Sequence, residues 1–251
     1  MRKKIVAGNW KMNKTMSEAL QLAIDIRNLA QGQTFGADII LCPTAMYLVA
    51  VKEALGNSGI GVSAQNVAAQ SQGAYTGEMA ADQIASCGIG YTLVGHSERR
   101  SLFGDSDEVI ETKVKKALEA GLSPIFCCGE PIEVRQAGDE KVLVRQQIEK
   151  ALFSLSEAEL LKVIIAYEPV WAIGTGLTAS SEQAQEMHVF IREVLSLKFS
   201  PETVQKITIL YGGSVKSSNA RELFAMPDVD GGLVGGASLI AEEFINIVKC
   251  A

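Results

Sequence analysis

Glu168 is a carboxylate in an unusual place. Val163-Ile164-Ile165-Ala166-Tyr167 reads as a fully buried strand, and Glu168 stands at its end. An ionised carboxylate is rarely buried without a partner or a use. Pro169 removes a backbone donor and ends the ladder. The next four residues, Val170-Trp171-Ala172-Ile173, are apolar but too short for another core strand, and Gly174-Thr175-Gly176 supplies a pair of glycines to hinge them. This order suits a base beneath an apolar lid; a solvated connecting loop is the plainer alternative. The same glycines fit G-x-G-x-x-A, a loose dinucleotide fingerprint, but Glu168 to Ile173 separate them from the strand that such a motif must follow directly.

Other polar groups follow apolar runs in the same way. Lys11 comes just after the first strand, where an ammonium can bind an anion or stabilise an oxyanion; taken alone it reads as a solvated lysine. His96 follows the fourth strand and precedes Ser97-Glu98-Arg99-Arg100. If a helix starts there, its positive end favours the neutral imidazole, which can donate a hydrogen bond to a carbonyl and shuttle a proton. Ser214 and Gly235-Gly236 end the seventh and eighth strands, where backbone N–H groups can cradle a phosphate. Tight turning is the alternative for Gly231-Gly232 and Gly235-Gly236.

The elements that must position these groups repeat eight times. Strands are expected at Lys4–Ala7, Asp38–Cys42, Ile60–Gln65, Tyr91–Val94, Pro124–Cys128, Val163–Tyr167, Ile207–Tyr211 and Gly232–Val234. Helical spacing fills the intervals: Thr15-x-x-Glu18 opens the first helix as a capping box, and Asp105-x-x-Glu108 reads as the cap of another that Gly121 closes. Apolar strands alternating with helices mean a parallel sheet covered by helices. Eight units in 251 residues predict a closed (β/α)8 barrel, with an open doubly wound sheet as the alternative. Either way, chemistry belongs at the carboxyl ends of the strands.

Composition narrows the function. The chain is 47% hydrophobic and 21% charged, as globular proteins are, and its net charge of −6 argues against nucleic acid or an anionic membrane as partner. No signal peptide or membrane span is expected. Cys42, Cys87, Cys127, Cys128 and Cys250 form no C-x-x-C pair and read as reduced thiols of a cytoplasmic protein. With only His96 and His188 to supply imidazole, no metal site is expected. Cys127 and Cys128 should face opposite sides of the fifth strand.

Five segments, NWKMN (Asn9–Asn13), GHSERR (Gly95–Arg100), AYEPVWAIGTG (Ala166–Gly176), YGGSV (Tyr211–Val215) and LVGGASL (Leu233–Leu239), together resemble the triosephosphate isomerase family in its own order, across essentially the whole chain. The resemblance implies one TIM-barrel domain over residues 1–251 that interconverts dihydroxyacetone phosphate and D-glyceraldehyde 3-phosphate in glycolysis and gluconeogenesis, without a cofactor. It implies Glu168 as the base, His96 as the electrophile, and Lys11 with Asn9 binding substrate and stabilising its charge. Gly174, Ser214, Gly235 and Gly236 would hold the phosphate. Pro169, Trp171, Thr175 and Gly176 would belong to the lid, Glu98 would lie beside Lys11, and Tyr211 with Ser214 would latch the closed lid. The long segment from Gln65 to Glu78 resembles the family's third loop and implies a homodimer, with Thr76 reaching toward the partner's site and Met12 in the pocket that receives the partner's loop. Leu177 departs from the pattern, since many relatives have Lys there. A sugar-phosphate aldolase on the same barrel, or a catalytically silent sugar-phosphate binder, remain as competing readings. A Schiff-base aldolase would need a buried lysine where this chain has Glu168.

Overall fold

A computed structural model of the chain describes residues 2–174 and 177–251. The strands are β1 (Ile5–Asn9), β2 (Asp38–Cys42), β3 (Gly61–Ala64), β4 (Tyr91–Val94), β5 (Ser123–Cys128), β6 (Ile164–Tyr167), β7 (Ile209–Tyr211) and β8 (Gly231–Val234). They pair in parallel in sequence order, and β8 returns to β1, closing the barrel. This is a single-domain (β/α)8 TIM barrel, and the open sheet is set aside. At the closing seam, Gly231 has φ +121°, and a Cβ there would stand 1.9 Å from the Ile5 carbonyl oxygen. Only glycine lets the two backbones meet.

The helices around it are α1 (Met16–Ala30), α2 (Leu48–Leu55), α3 (Ala81–Ser86), α4 (Ser97–Phe103), α5 (Asp107–Glu119), α6 (Ile132–Ala137), α7 (Glu140–Leu152), α8 (Glu157–Leu160), α9 (Ser181–Ser196), α10 (Pro201–Val204), α11 (Ser217–Phe224) and α12 (Ala241–Val248). Strand alternation builds two layers of core. Ile40, Leu93, Ile125, Ile164, Leu210 and Leu233 fill the barrel, while Leu41, Val94, Phe126, Ile165 and Ile209 pack outward against the helices. Cys127 belongs to the inner layer and Cys128 to the outer, as the period of two requires.

One cap differs from expectation. Ser106, not Asp105, starts α5, its hydroxyl accepting from the Val109 N–H. Asp105 is turned inward instead, where it binds Arg99 and the buried ammonium of Lys113 at 2.9 and 2.8 Å. Two cations hold the carboxylate better than one helix end, and they keep it below the usual carboxylate range despite burial. At Thr15 the expected box is present, with Glu18 accepting from the Thr15 backbone N–H at 2.8 Å.

Candidate active site

The barrel's closure gathers the strand-end groups at one rim. Asn9 ends β1, Lys11 follows it, His96 stands two residues after β4 and Glu168 directly after β6. They line one cavity of about 700 Å³, together with Gly174, Ser214, Gly235 and Gly236. Each residue assigned from the sequence to catalysis or to substrate therefore borders the same space.

Glu168 forms part of its wall and is 2% exposed. One carboxylate oxygen accepts from the Ser97 backbone N–H at 2.8 Å. The other lies 3.0 Å from His96 Nε2. His96 is the N-cap of α4, and its Nδ1 accepts from the Glu98 backbone N–H at 3.2 Å. A nitrogen that accepts carries no proton, so the ring's single proton is on Nε2, which donates to Glu168. The Glu98 carboxylate stands 3.7 Å from Nδ1, beyond hydrogen-bond distance, and is engaged by the Lys11 ammonium.

Lys11 has φ +51°, a left-handed conformation that non-glycine residues rarely adopt and that costs roughly 1–2 kcal/mol. Two side chains hold it there. Asn9 Oδ1 accepts from the Lys11 N–H at 3.0 Å, and Gln65 Nε2 donates to the Lys11 carbonyl at 2.9 Å. Strain that is held from both sides aims the side chain over the cavity mouth. Gly235 and Gly236 contrast with Gly231: a Cβ on Gly236 would meet nothing within 4 Å, and one on Gly235 only Lys11 Cε at 3.7 Å. Packing does not require glycine at these two positions. Open space beside their backbone is what a bound anion needs.

The segment expected to form a lid is described only in part. Pro169 leads into a single tight turn, Val170–Ala172, and Gly174 has φ +70°. Thr175 and Gly176 lie outside the described residues. Trp171 Nε1 donates to Glu130 Oε1 at 2.8 Å, and Tyr167 donates to the same oxygen at 3.0 Å. Tyr211 is wholly buried beneath this region rather than on the cavity wall. Leu177 is 56% exposed.

Sequence reasoning missed Glu130 and the role of Gln65. Glu130 is fully buried, and burial raises its carboxyl above the usual range. Its signal was available: Glu130-Pro131 ends the run from β5 as Glu168-Pro169 ends that from β6. Gln65 carries no such mark, because the carbonyls it binds, those of Lys11 after β1 and Cys42 at the end of β2, are distant in sequence.

Cys127 sits near Glu168 in the barrel, and burial and the Glu168 charge push its thiol far up, away from nucleophilic use. Among the described residues no group of three or more metal-binding side chains converges, and no helix is long and apolar enough to cross a membrane. Met12 is 92% exposed and borders a second cavity of about 350 Å³, with Gln65, Glu98, Arg99 and Phe103. Thr76 is exposed on the neighbouring loop.

Fold and rim together define a (β/α)8-barrel enzyme with a carboxylate–imidazole pair set in a deep carboxyl-end cavity. The chain matches the triosephosphate isomerase family over residues 4–251. It is 48% identical over 249 residues to a protein named triosephosphate isomerase from Porphyromonas gingivalis, covering 99% of each chain. It is likewise 48% identical to proteins of that name from Cytophaga hutchinsonii, over 99% of each chain, and from Chloroherpeton thalassium, over the full length of both. The chain belongs to the triosephosphate isomerase family, whose activity is intramolecular isomerisation.

Proposed function

We propose that this protein interconverts dihydroxyacetone phosphate and D-glyceraldehyde 3-phosphate through an enediolate, in glycolysis and gluconeogenesis, with Glu168 as the proton carrier. The observation that carries the reading is the 3.0 Å contact between Glu168 and a neutral, Nε2-protonated His96 on the wall of a cavity that Lys11 overhangs. Removing a proton beside a carbonyl demands stabilisation of the oxyanion as it forms. His96 Nε2 and the Lys11 ammonium are suited to that, with Asn9 beside them. In this structure Glu168 is satisfied by Ser97 and His96. To act, it turns from the Ser97 N–H toward C1 of the substrate, takes a proton there and returns it at C2. His96 Nε2 then serves the two substrate oxygens in turn.

The phosphate belongs among Gly174, Ser214, Gly235 and Gly236, where backbone N–H groups border open space. Closing Pro169 to Gly176 over the substrate expels water, which strengthens each charge interaction beneath the lid and protects the enediolate from losing its phosphate. Trp171 moves with this segment, and Tyr211 with Ser214 latches it. Glu98 holds the Lys11 ammonium in place. The aldolase reading lacks its lysine. Lys113 is the buried lysine among the described residues; it stands on α5, its ammonium tied to Asp105 and Asn66, and it does not border the cavity.

A homodimer in the cytoplasm is part of the same proposal. Met12, Met46 and Phe103 are 92%, 81% and 67% exposed, an apolar display that a second subunit would cover. Thr76 then reaches the partner's site, and Met12 lines the pocket for the partner's loop. Sedimentation at micromolar concentration tests this, and an active monomer overturns it. No cofactor, nucleic acid or membrane enters the reaction.

Deuterium tracing by NMR tests the chemistry. With dihydroxyacetone phosphate in heavy water, label should appear at C1 of recovered substrate and at C2 of the aldose, and should be largely lost in Glu168→Gln. A parent protein that moves no label defeats the reading.

A further inference from the structure

β4 and β5 separate just below the site. Their last register pair is Val94 with Phe126. Beyond it the chain turns aside at Gly95, whose φ is +76°, and delivers His96 to the rim. β5 continues to Cys128, and its extension through Gly129 and Glu130 still runs beside the chain that follows β6. Residues of a parallel strand bond alternately to one side and to the other. On the β6 side, the Cys128 carbonyl accepts from the Glu168 N–H at 2.7 Å, and the Glu130 carbonyl accepts from the Val170 N–H at 3.0 Å. The backbone groups of Cys127 and Gly129 point the other way, past the end of β4.

Two side chains stand in for the missing strand. Arg100 donates to the Cys127 carbonyl at 3.1 Å and to the Gly95 carbonyl at 2.8 Å. Gln147 of α7 serves both backbone groups of Gly129. Its Oε1 accepts from the Gly129 N–H at 2.8 Å, and its Nε2 donates to the Gly129 carbonyl at 3.2 Å. Gln147 is 5% exposed and Gly129 is buried, so bulk water does not replace a lost partner there.

The peptide between Cys128 and Gly129 is one rigid plane. Its carbonyl end holds the Glu168 N–H, and its N–H end is held by Gln147. A Cβ on Gly129 would stand 1.7 Å from the Glu168 carbonyl oxygen and 3.1 Å from Glu168 Cα, so only glycine fits. Glycine also leaves that plane the most freedom to rotate. The bond to Glu168 anchors one end of the plane; the bond to Gln147 anchors the opposite end and fixes its orientation. Resting on the assignment of Glu168 as the base, we infer that Gln147 is a positioning residue for proton transfer: it locks the Cys128–Gly129 peptide, and through it the backbone that carries the Glu168 carboxylate to the substrate. Gln147 does not border the cavity, so it acts on the base and not on substrate binding.

The test compares Gln147→Met with Ile148→Ala in the full-length protein. The first keeps the side chain's length and loses both bonds to Gly129. The second removes buried apolar contacts from the same helix and no bond to Gly129. Gln147→Met should lower kcat about 10- to 100-fold with KM within about twofold, the scale on which small misplacements of a reacting group act. With dihydroxyacetone phosphate deuterated at C1, the isotope effect on kcat should rise in this variant, because proton abstraction becomes the slow step. Ile148→Ala should lose stability in urea and keep the parent's kcat and isotope effect. Should Gln147→Met not fold, Gln147→Asn, one methylene too short for both bonds, makes the same comparison. An unchanged kcat, a loss carried by KM, a fall in kcat without the rise in isotope effect, or equal losses in the Gln147 and Ile148 variants each overturn the inference while the parent's turnover stands. A parent without isomerase turnover defeats the function itself, and this inference with it.

Discussion

The two ends of the barrel use charged residues in opposite ways. At the amino-terminal end, Arg192 is saturated. Its Nε binds Asp228 at 2.7 Å, one terminal nitrogen binds Asp230 at 2.7 Å and the Asp228 carbonyl, and the other donates to the carbonyls of Val204 and Ile207. Asp230 also takes Arg2 at 2.7 Å and the Ile209 N–H at 2.9 Å. At the carboxyl end, Glu168 has two donors, and the Lys11 ammonium meets Glu98 and opens on a cavity. A saturated network can only hold the fold together. One with spare capacity, facing open space, can take a substrate.

Substitutions at the two ends should therefore separate activity from stability. Glu168→Gln should lower kcat by about 10²–10⁴-fold, the usual worth of a positioned base, with the unfolding midpoint little changed. Arg192→Met should do the reverse. It takes one of two cations from buried Asp230 and the closest cation from half-buried Asp228, at about 3 kcal/mol by urea unfolding, while the folded fraction keeps its kcat within about threefold. Comparable activity losses in both would remove the distinction between the two ends.

His188 lies between the ends and gives the contrast a pH dependence. Burial lowers its pKa to about 4, opposed by the Ala184 carbonyl; Arg192 lowers it further and Asp230 raises it. The folded state therefore resists the proton that the unfolded chain accepts at about 6.5. Stability contributed by neutral His188 is complete above pH 6.5, declines as pH falls and is gone near pH 4, a total of about 3 kcal/mol. Between pH 7 and 5, His188→Phe should lose about 2 kcal/mol less stability than the parent in urea unfolding at matched protein concentration. Identical slopes would show that this ring does not titrate between the two states.

Smaller effects are expected in the segment after β6 and its partners. Glu130→Gln weakens the acceptor shared by Trp171 and Tyr167, so the arrangement seen here should lose about 1 kcal/mol and KM should fall about fivefold. A rise in KM instead would mean that Glu130 supports substrate binding. Leu177→Lys, at an exposed position, should alter stability by no more than about 0.5 kcal/mol, read as a thermal shift.

The sequence alone determined the eight strand–helix units, their order and the residues at the strand ends, because apolar periodicity and glycine or proline punctuation are local signals. β2 and β4 fall at the expected residues, and β6 and β8 within one residue of them. Glu168, His96 and Lys11 were legible for the same reason: each interrupts or follows an apolar run. The tertiary structure alone decided what these groups touch. Ser97 and Glu168 are 71 residues apart, and their 2.8 Å hydrogen bond exists only because β4 and β6 share a closed rim. Gln65 reaches Lys11 across 54 residues, and Arg192 finds Asp230 across 38. Asp105 shows the limit most plainly. Its spacing fits a helix cap, yet Arg99 and Lys113 draw it into the interior, because a short-range preference of about 1 kcal/mol yields to paired charges brought together by packing.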